Sequence, residues 1–387
     1  MEKTACSSSS SGFSSWACLP TDIVFTIFHR LVSLPDFIRF GCVCKSWNAS
    51  TLNYYKQRLI RLSNLHLPWL LVQHDSNYKC LCLYDIINAE IYKFHYTYAP
   101  YIYGFSRGWL FIMEEEKHRL TLLSPLSNTI IHLPPFDTGK FEDEEVYSVM
   151  LSSDPSLGPF EAIAISCHKF HTLAYLNSSD EFWTYLVKDN VADPPGCFKV
   201  IFHRDRIIGV SDSSGQVFSV VVTDDEDDAI HDASTKCINF LQIPTKCVTL
   251  KEIAPPCVEN SDINNVETHL VETTRGDLLM ILRYFVSFPT PLNKYKIYKL
   301  VLDSDHDGQL ARIPIVNLGG DSLFLGFNNS ISILASLYPG CSPNSIYYAG
   351  HPAIEVFHLE DESVSTILIS KEYSEYSLAS LPTWIKL

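Results

Sequence analysis

From residue 67 to residue 387 the chain repeats one pattern: an apolar or aromatic strand, a polar turn, and a returning strand. The segments 80–94, 119–136, 199–222, 270–285, 294–303 and 353–369 all read this way, with Asp, Asn, Ser or Gly at the turns. No long helical stripe interrupts them. A tract of this length built from hairpins must dispose of its edge strands by closure or repetition. Cys82-Leu83-Tyr84-Asp85 and Thr121-Leu122-Leu123-Ser124 open similar units, and the spacing of roughly 40 to 50 residues is that of a four-stranded propeller blade. Gly108–Phe111, Ile207–Val210 and Leu323–Gly326 are each expected to supply an inner strand. A β-propeller of about five or six blades is therefore preferred over a sandwich.

Before residue 65 the period is helical. Ile23, Ile27 and Leu31 recur at i, i+4 and i+8, with Val24 and Phe28 beside them, which predicts an amphipathic helix. Pro20 suits its start and Asp22 its positive end. Pro35 ends it, and Pro35-Asp36 opens a second helix carrying Phe37, Phe40 and Val43. A third segment runs from Trp47 to Leu59. Three such helices make a marginal core on their own. The fold class expected is thus α+β and multidomain: a short N-terminal three-helix unit, then a large all-β domain. The boundaries are 1–16 for a disordered Ser-rich arm, 17–60 for the helices and 67–387 for the β domain.

Charge excludes two classes of partner. Lys plus Arg is 29 against 44 Asp plus Glu, a net −15. Neither nucleic acid nor an anionic membrane is expected as a partner, since both require a cationic footprint. No run of 18 apolar residues is present, and the opening segment lacks the apolar core of a signal peptide. The 12 cysteines include no C-x-x-C pair, so they read as reduced structural residues rather than disulfides or zinc ligands. No metal and no cofactor is expected.

Two motifs look chemical. Gly104-Phe105-Ser106-Arg107-Gly108 matches the G-x-S-x-G nucleophile elbow, but a strand follows it where the elbow requires a helix. Asp303-Ser304-Asp305-His306-Asp307-Gly308 opens like a calcium loop, yet loop position twelve is Pro314 and the flanks read as strands. Both are better explained as turns. The acidic run 224–228 reads as an exposed loop. No phosphate-binding loop, dinucleotide fingerprint or H-E-x-x-H is present.

Leu19-Pro20-x-Asp22-Ile23, then Ile27, Arg30-Leu31, and Val43-Cys44-Lys45-x-Trp47 resembles an F-box at the right spacing. Gly41 and Cys42 depart from its usual residues. The remainder is similar to the kelch-like C-terminal domain that follows the F-box in a large plant family. That likeness rests on Gly104–Leu110, Leu122–Leu126, Ile131-x-Leu133-Pro134-Pro135, Leu270–Glu272, Gly276–Leu279, Leu323–Gly326 and Leu381–Trp384. The resemblance implies a receptor subunit of an SCF-type ubiquitin ligase, without catalytic residues of its own. Leu19, Pro20, Ile23, Ile27, Leu31, Val43, Lys45 and Trp47 would bind a Skp-type adaptor, and through it a cullin–RING ligase. The β domain would hold an unknown client, in the nucleus and/or cytoplasm. An F-box scaffold acting without a ligase is the alternative.

Overall fold

The computed structural model describes residues 16, 19–30, 39–41, 43–47, 67–73, 80–87, 89–95, 101–114, 119–124, 129–136, 146–166, 173–185, 198–223, 246–258, 266–285, 294–302, 308–327, 329–350, 353–368 and 383–386. It divides into two compact units, residues 1–65 and 66–387.

In the first unit, Thr21–Arg30 forms helix α1. The Pro20 carbonyl accepts from the amides of Ile23 and Val24 at 3.0 and 3.1 Å, so the proline stands just ahead of the first turn. Residues 39–41 and 45–47 are also helical. Val24, Phe28, Phe40 and Trp47 form the buried core. Phe40 bridges the two other rings, with centroids 5.7 Å from Phe28 and 4.5 Å from Trp47. The face of α1 that is buried is thus Val24–Phe28. The stripe of Ile23 and Ile27 lies to its side, and Leu31, Phe37 and residues 48–59 fall outside the described residues.

The second unit is six sheets built as a propeller. Blade 1 holds β1 (Trp69–Gln73), β2 (Cys80–Asp85) and β3 (Glu90–His95). Blade 2 holds β4 (Tyr101–Ser106), β5 (Trp109–Glu114), β6 (Arg119–Leu123) and β7 (Ile130–Pro135). Blade 3 holds β8 (Val146–Leu151), β9 (Glu161–Ser166), β10 (Leu173–Asn177) and β11 (Thr184–Tyr185). Blade 4 holds β12 (Phe198–His203), β13 (Arg206–Ser211), β14 (Val217–Thr223) and β15 (Cys247–Ala254). Blade 5 holds β16 (Val266–Glu272), β17 (Leu278–Tyr284), β18 (Lys294–Leu302) and β19 (Leu310–Ile315). Blade 6 holds β20 (Asp321–Leu325), β21 (Ser330–Leu334), β22 (Ser345–Ala349), β23 (Ala353–His358) and β24 (Val364–Leu368), and β25 (Thr383–Ile385) returns to blade 1.

The strands β25, β4, β8, β12, β16 and β21 neighbour one another in turn and form the inner ring. The segments expected to supply an inner strand, Gly108–Phe111, Ile207–Val210 and Leu323–Gly326, fall on β5, β13 and β20, each second from the axis in its sheet. Strand order, which local apolarity does not reveal, decides this. Prolines sit in outermost strands, Pro134 and Pro135 in β7 and Pro314 in β19, the sheet edges that tolerate them.

Both faces of a blade are covered, which explains the near-continuous apolar strands. On β9, Ala162 and Ala164 join the cluster shared with blade 2, while Ile163 and Ile165 join the cluster shared with blade 4. The ring closes by pairing β25 with β1, Trp69 opposite Ile385 and Leu71 opposite Thr383. Trp384 is fully buried, donates from Nε1 to the Leu325 carbonyl at 2.9 Å, and meets Phe324 edge-on at 5.0 Å. Its own carbonyl accepts from Asn329 Nδ2 at 2.6 Å. Blade 6 departs from the simple meander: β21 folds back to the inner position, and β22 then pairs parallel to β20. The motif at 303–307 and the acidic run 224–228 lie outside the described residues.

Candidate functional site

The helical unit sorts its apolar residues into two sets. Val24, Phe28, Phe40 and Trp47 pack inward, and the Trp47 indole donates to the Trp16 carbonyl at 3.2 Å. Ile23 is 47% exposed and Val43 54% exposed, with Pro20 and Lys45 also exposed. Leu19 and Ile27 are half-buried. Of the residues the F-box resemblance assigns to the adaptor, Trp47 is therefore part of the internal core, while Pro20, Ile23, Val43 and Lys45 present outer surface.

The β domain offers a second surface. Each of blades 2 to 5 has four antiparallel strands, so the chain leaves a blade at the end where its inner strand began. The turns joining first to second strands consequently share one face. Two of these turns place an arginine in the left-handed region, Arg107 at φ 51° and Arg204 at φ 53°. Around them opens a cleft of about 660 Å³ lined by the first turns of blades 2 to 5. Its cations are Arg107, Arg204 and Arg206; its anions are Glu161, Asp205 and Glu272. Phe202, Ile207 and Val220–Val222 supply an apolar wall.

The two kinds of charge are held differently. Glu161 accepts a short hydrogen bond from the Tyr175 hydroxyl, whose pKa is raised by burial and then by this bond, so the phenol stays protonated. Glu272 Oε1 lies 3.4 Å from Nδ1 of His203. Among the described residues no carboxylate lies within ion-pair distance of Arg107, Arg204 or Arg206, and Arg204 reaches only the Gly276 carbonyl at 3.4 Å.

Beside the cleft, the turn from Ser152 to Phe160 is pinned by Asp154. Its Oδ1 accepts from the Trp109 indole at 2.9 Å and from the Ser156 amide at 2.8 Å. The pinned turn presents Leu157, 79% exposed. Ser106, the serine of the elbow-like motif, is buried, and its Oγ accepts from the Leu151 amide at 3.1 Å. It ties blade 2 to blade 3 from within a hairpin.

Toward the opposite end of the inner strands lies an enclosed polar network. Lys199 Nζ sits 2.9 Å from Glu267 Oε1 and 3.3 Å from His269 Nδ1. His269 Nε2 lies 3.2 Å from the same Glu267 oxygen, and Ser330 Oγ lies 3.4 Å from His269 Nδ1. The Tyr348 hydroxyl donates to Glu267 Oε2 at 3.0 Å. Arg283 stacks its guanidinium 3.7 Å over the Tyr348 ring and stands 3.6 Å from both Glu267 and Glu355. Burial alone would raise the Glu267 pKa, but His269 and Lys199 override it and hold the carboxyl well below the usual range. Burial, then Lys199, lowers the His269 pKa, so the imidazole is neutral near pH 7 and its Nδ1 accepts. The network joins blades 4, 5 and 6. The sequence reading passed over these residues, because a polar residue alternating with apolar ones reads as facing solvent.

An F-box-like model matches residues 16–58, and a KIB1-4 beta-propeller model matches residues 83–374. The chain is 24% identical to F-box protein SKIP23 of Arabidopsis thaliana over 381 residues, covering 89% of this chain and 86% of that protein. It is 22% identical to the probable F-box protein At1g65740 of Arabidopsis thaliana, covering 94% of this chain and 97% of that one. Among solved structures it aligns with the Dos1 propeller at a TM-score of 0.34 and 11% identity, over 79% of this chain and 67% of that chain. The matching propeller family is KIB1-4, which corrects the kelch-like label that the sequence resemblance carried. With most of its β domain covered by that model and an F-box-like domain ahead of it, the chain belongs to the KIB1-4 β-propeller family.

Proposed function

We propose that the chain is the substrate-recognition subunit of an SCF-type ubiquitin ligase, working in the nucleus and/or cytoplasm. The helical unit docks a Skp-type adaptor, and the propeller captures a client protein. The observation that carries this reading is the sorting of the helical unit into a buried aromatic core and an exposed apolar set, Ile23 and Val43, within the F-box-like match at 16–58. Ubiquitin transfer belongs to the cullin–RING partners, and this chain contributes binding alone.

The test is co-purification with a Skp-type adaptor. The wild type is expected to bind, and Leu19→Ala with Pro20→Ala to lose about a thousandfold in affinity if two apolar anchors act additively. A wild type without adaptor affinity, holding its client nonetheless, would instead favour an F-box scaffold acting without a ligase.

A further inference from the structure

We infer that the cleft over the first turns of blades 2 to 5 captures an anionic peptide segment of the client, carboxylate- or phosphate-bearing, through Arg107, Arg204 and Arg206. This rests on the client-capture reading above and names the chemistry of its ligand.

The cleft holds unspent donors. In a chain of net charge −15, three arginines converge on one cleft without a carboxylate partner among the described residues. The cleft also holds three carboxylates: Glu161 accepts from the Tyr175 hydroxyl, Glu272 lies 3.4 Å from His203 Nδ1, and Asp205 follows Arg204 in the turn. None of the three carboxylates reaches a guanidinium within ion-pair distance, so the donors of Arg107, Arg204 and Arg206 are open apart from the Arg204 contact to the Gly276 carbonyl. A ligand that completes the site must therefore bring acceptors.

Position supports the same conclusion. Arg107 and Arg204 occupy left-handed turn positions of tight hairpins, so their backbones are fixed before a ligand arrives. Guanidinium forks match carboxylate and phosphate oxygens in pairs. The wall of Phe202, Ile207 and Val220 adds apolar surface beside the charges, and Leu157 stands exposed on the neighbouring pinned turn. A mixed surface of this kind fits an acidic segment carrying an apolar side chain, not a free inorganic anion. The net charge of −15 disfavours non-specific association of an acidic segment with the rest of the chain.

Fluorescence anisotropy on the full chain tests this with three labelled peptides of equal length. One is rich in Asp and Glu around a leucine, one carries phosphoserines at those positions, and one carries Lys and Arg there. The first, the second or both are expected to bind with an affinity that falls as salt rises, and the basic peptide not to bind. The contrast between the first two identifies which oxyanion is preferred. Arg107→Glu/Arg204→Glu/Arg206→Glu is expected to weaken binding at least about tenfold, and the matching triple Lys variant to retain part of it. The three side chains are exposed, so the melting temperature should not move. Adaptor co-purification by the triple Glu variant should also be unchanged. If the wild type binds anionic peptide but no adaptor, the ligase reading falls and the cleft assignment stands. Failure of both anionic peptides at low salt, better binding of the basic peptide, or equal binding by the triple Glu variant would overturn the assignment.

Discussion

The Lys199 ammonium on the inner strand of blade 4 lies 2.9 Å from the Glu267 carboxylate on the inner strand of blade 5. Both side chains are almost fully withdrawn from solvent, at 12% and 11% exposure. Breaking a buried pair from one side typically costs about 3 to 5 kcal/mol, and here Arg283, 3.6 Å from Glu267, keeps part of the compensation. Lys199→Met should therefore lower the melting temperature of the chain markedly. Adding Glu267→Leu to Lys199→Met should deepen the loss, since Arg283 and the Tyr348 hydroxyl then lose their partner as well. Chemical denaturation of the single and double variants decides this, and a double variant more stable than the single would count against it.

Acid should weaken the same region in two stages. The His269 pKa is lowered in the folded state, so the unfolded chain takes up the proton first, and stability starts to fall as pH drops through the ordinary histidine value of about 6.5. The Glu267 pKa is also lowered, so its contribution is complete above 4.5 and is lost at more acid pH, as the folded carboxyl is protonated. Both slopes have the same sign. Thermal melts of wild type and His269→Asn across this range should differ in both stages, since His269 also helps to hold the Glu267 pKa down. Parallel curves would contradict the assignment.

In the helical unit, core and face should respond differently. Phe28→Ala removes a ring buried to 1% exposure, and an aromatic truncation of this kind costs about 3 to 5 kcal/mol. Ile23→Lys changes a side chain that is 47% exposed and should leave the fold within about 0.5 kcal/mol. Adaptor binding should nevertheless be lost in Ile23→Lys. Circular dichroism read beside co-purification separates unfolding from interface loss.

Trp384 should matter more than its place near the last residues suggests. It is fully buried and hydrogen-bonded to Leu325 and Asn329, so Trp384→Ala should cost about 3 to 5 kcal/mol. Limited proteolysis should then cut within blade 1 or blade 6 before the others. Cleavage spread evenly over all blades would argue that closure does not depend on this residue.

Much of the architecture was legible because hairpins are local. The segment 199–222 read as strand, turn and strand, and the chain folds it into β12, β13 and β14. What stayed hidden depends on long-range pairing. Nothing near Trp384 announces that it completes the blade begun at Trp69, and nothing in Leu323–Leu325 tells a second strand from an inner one. In the helical unit, Val24 and Ile23 are equally apolar, and only the position of Phe40 decides which is buried. The arginines of the cleft sat unnoticed in polar turns. Aligning the repeats offered a signal, since Arg107 and Arg204 each directly follow the last residue of an inner strand.

The pairing of β25 with β1 also sets an order on synthesis. On the ribosome, Trp69–Gln73 emerges early, but its inner neighbour Thr383–Ile385 is made after every other strand. Until then the nascent chain carries an apolar strand with one row of backbone amides and carbonyls unclaimed, the form most open to pairing with another chain. The newborn propeller thus stays an open arc until Thr383–Ile385 is made, with its first edge unpaired throughout.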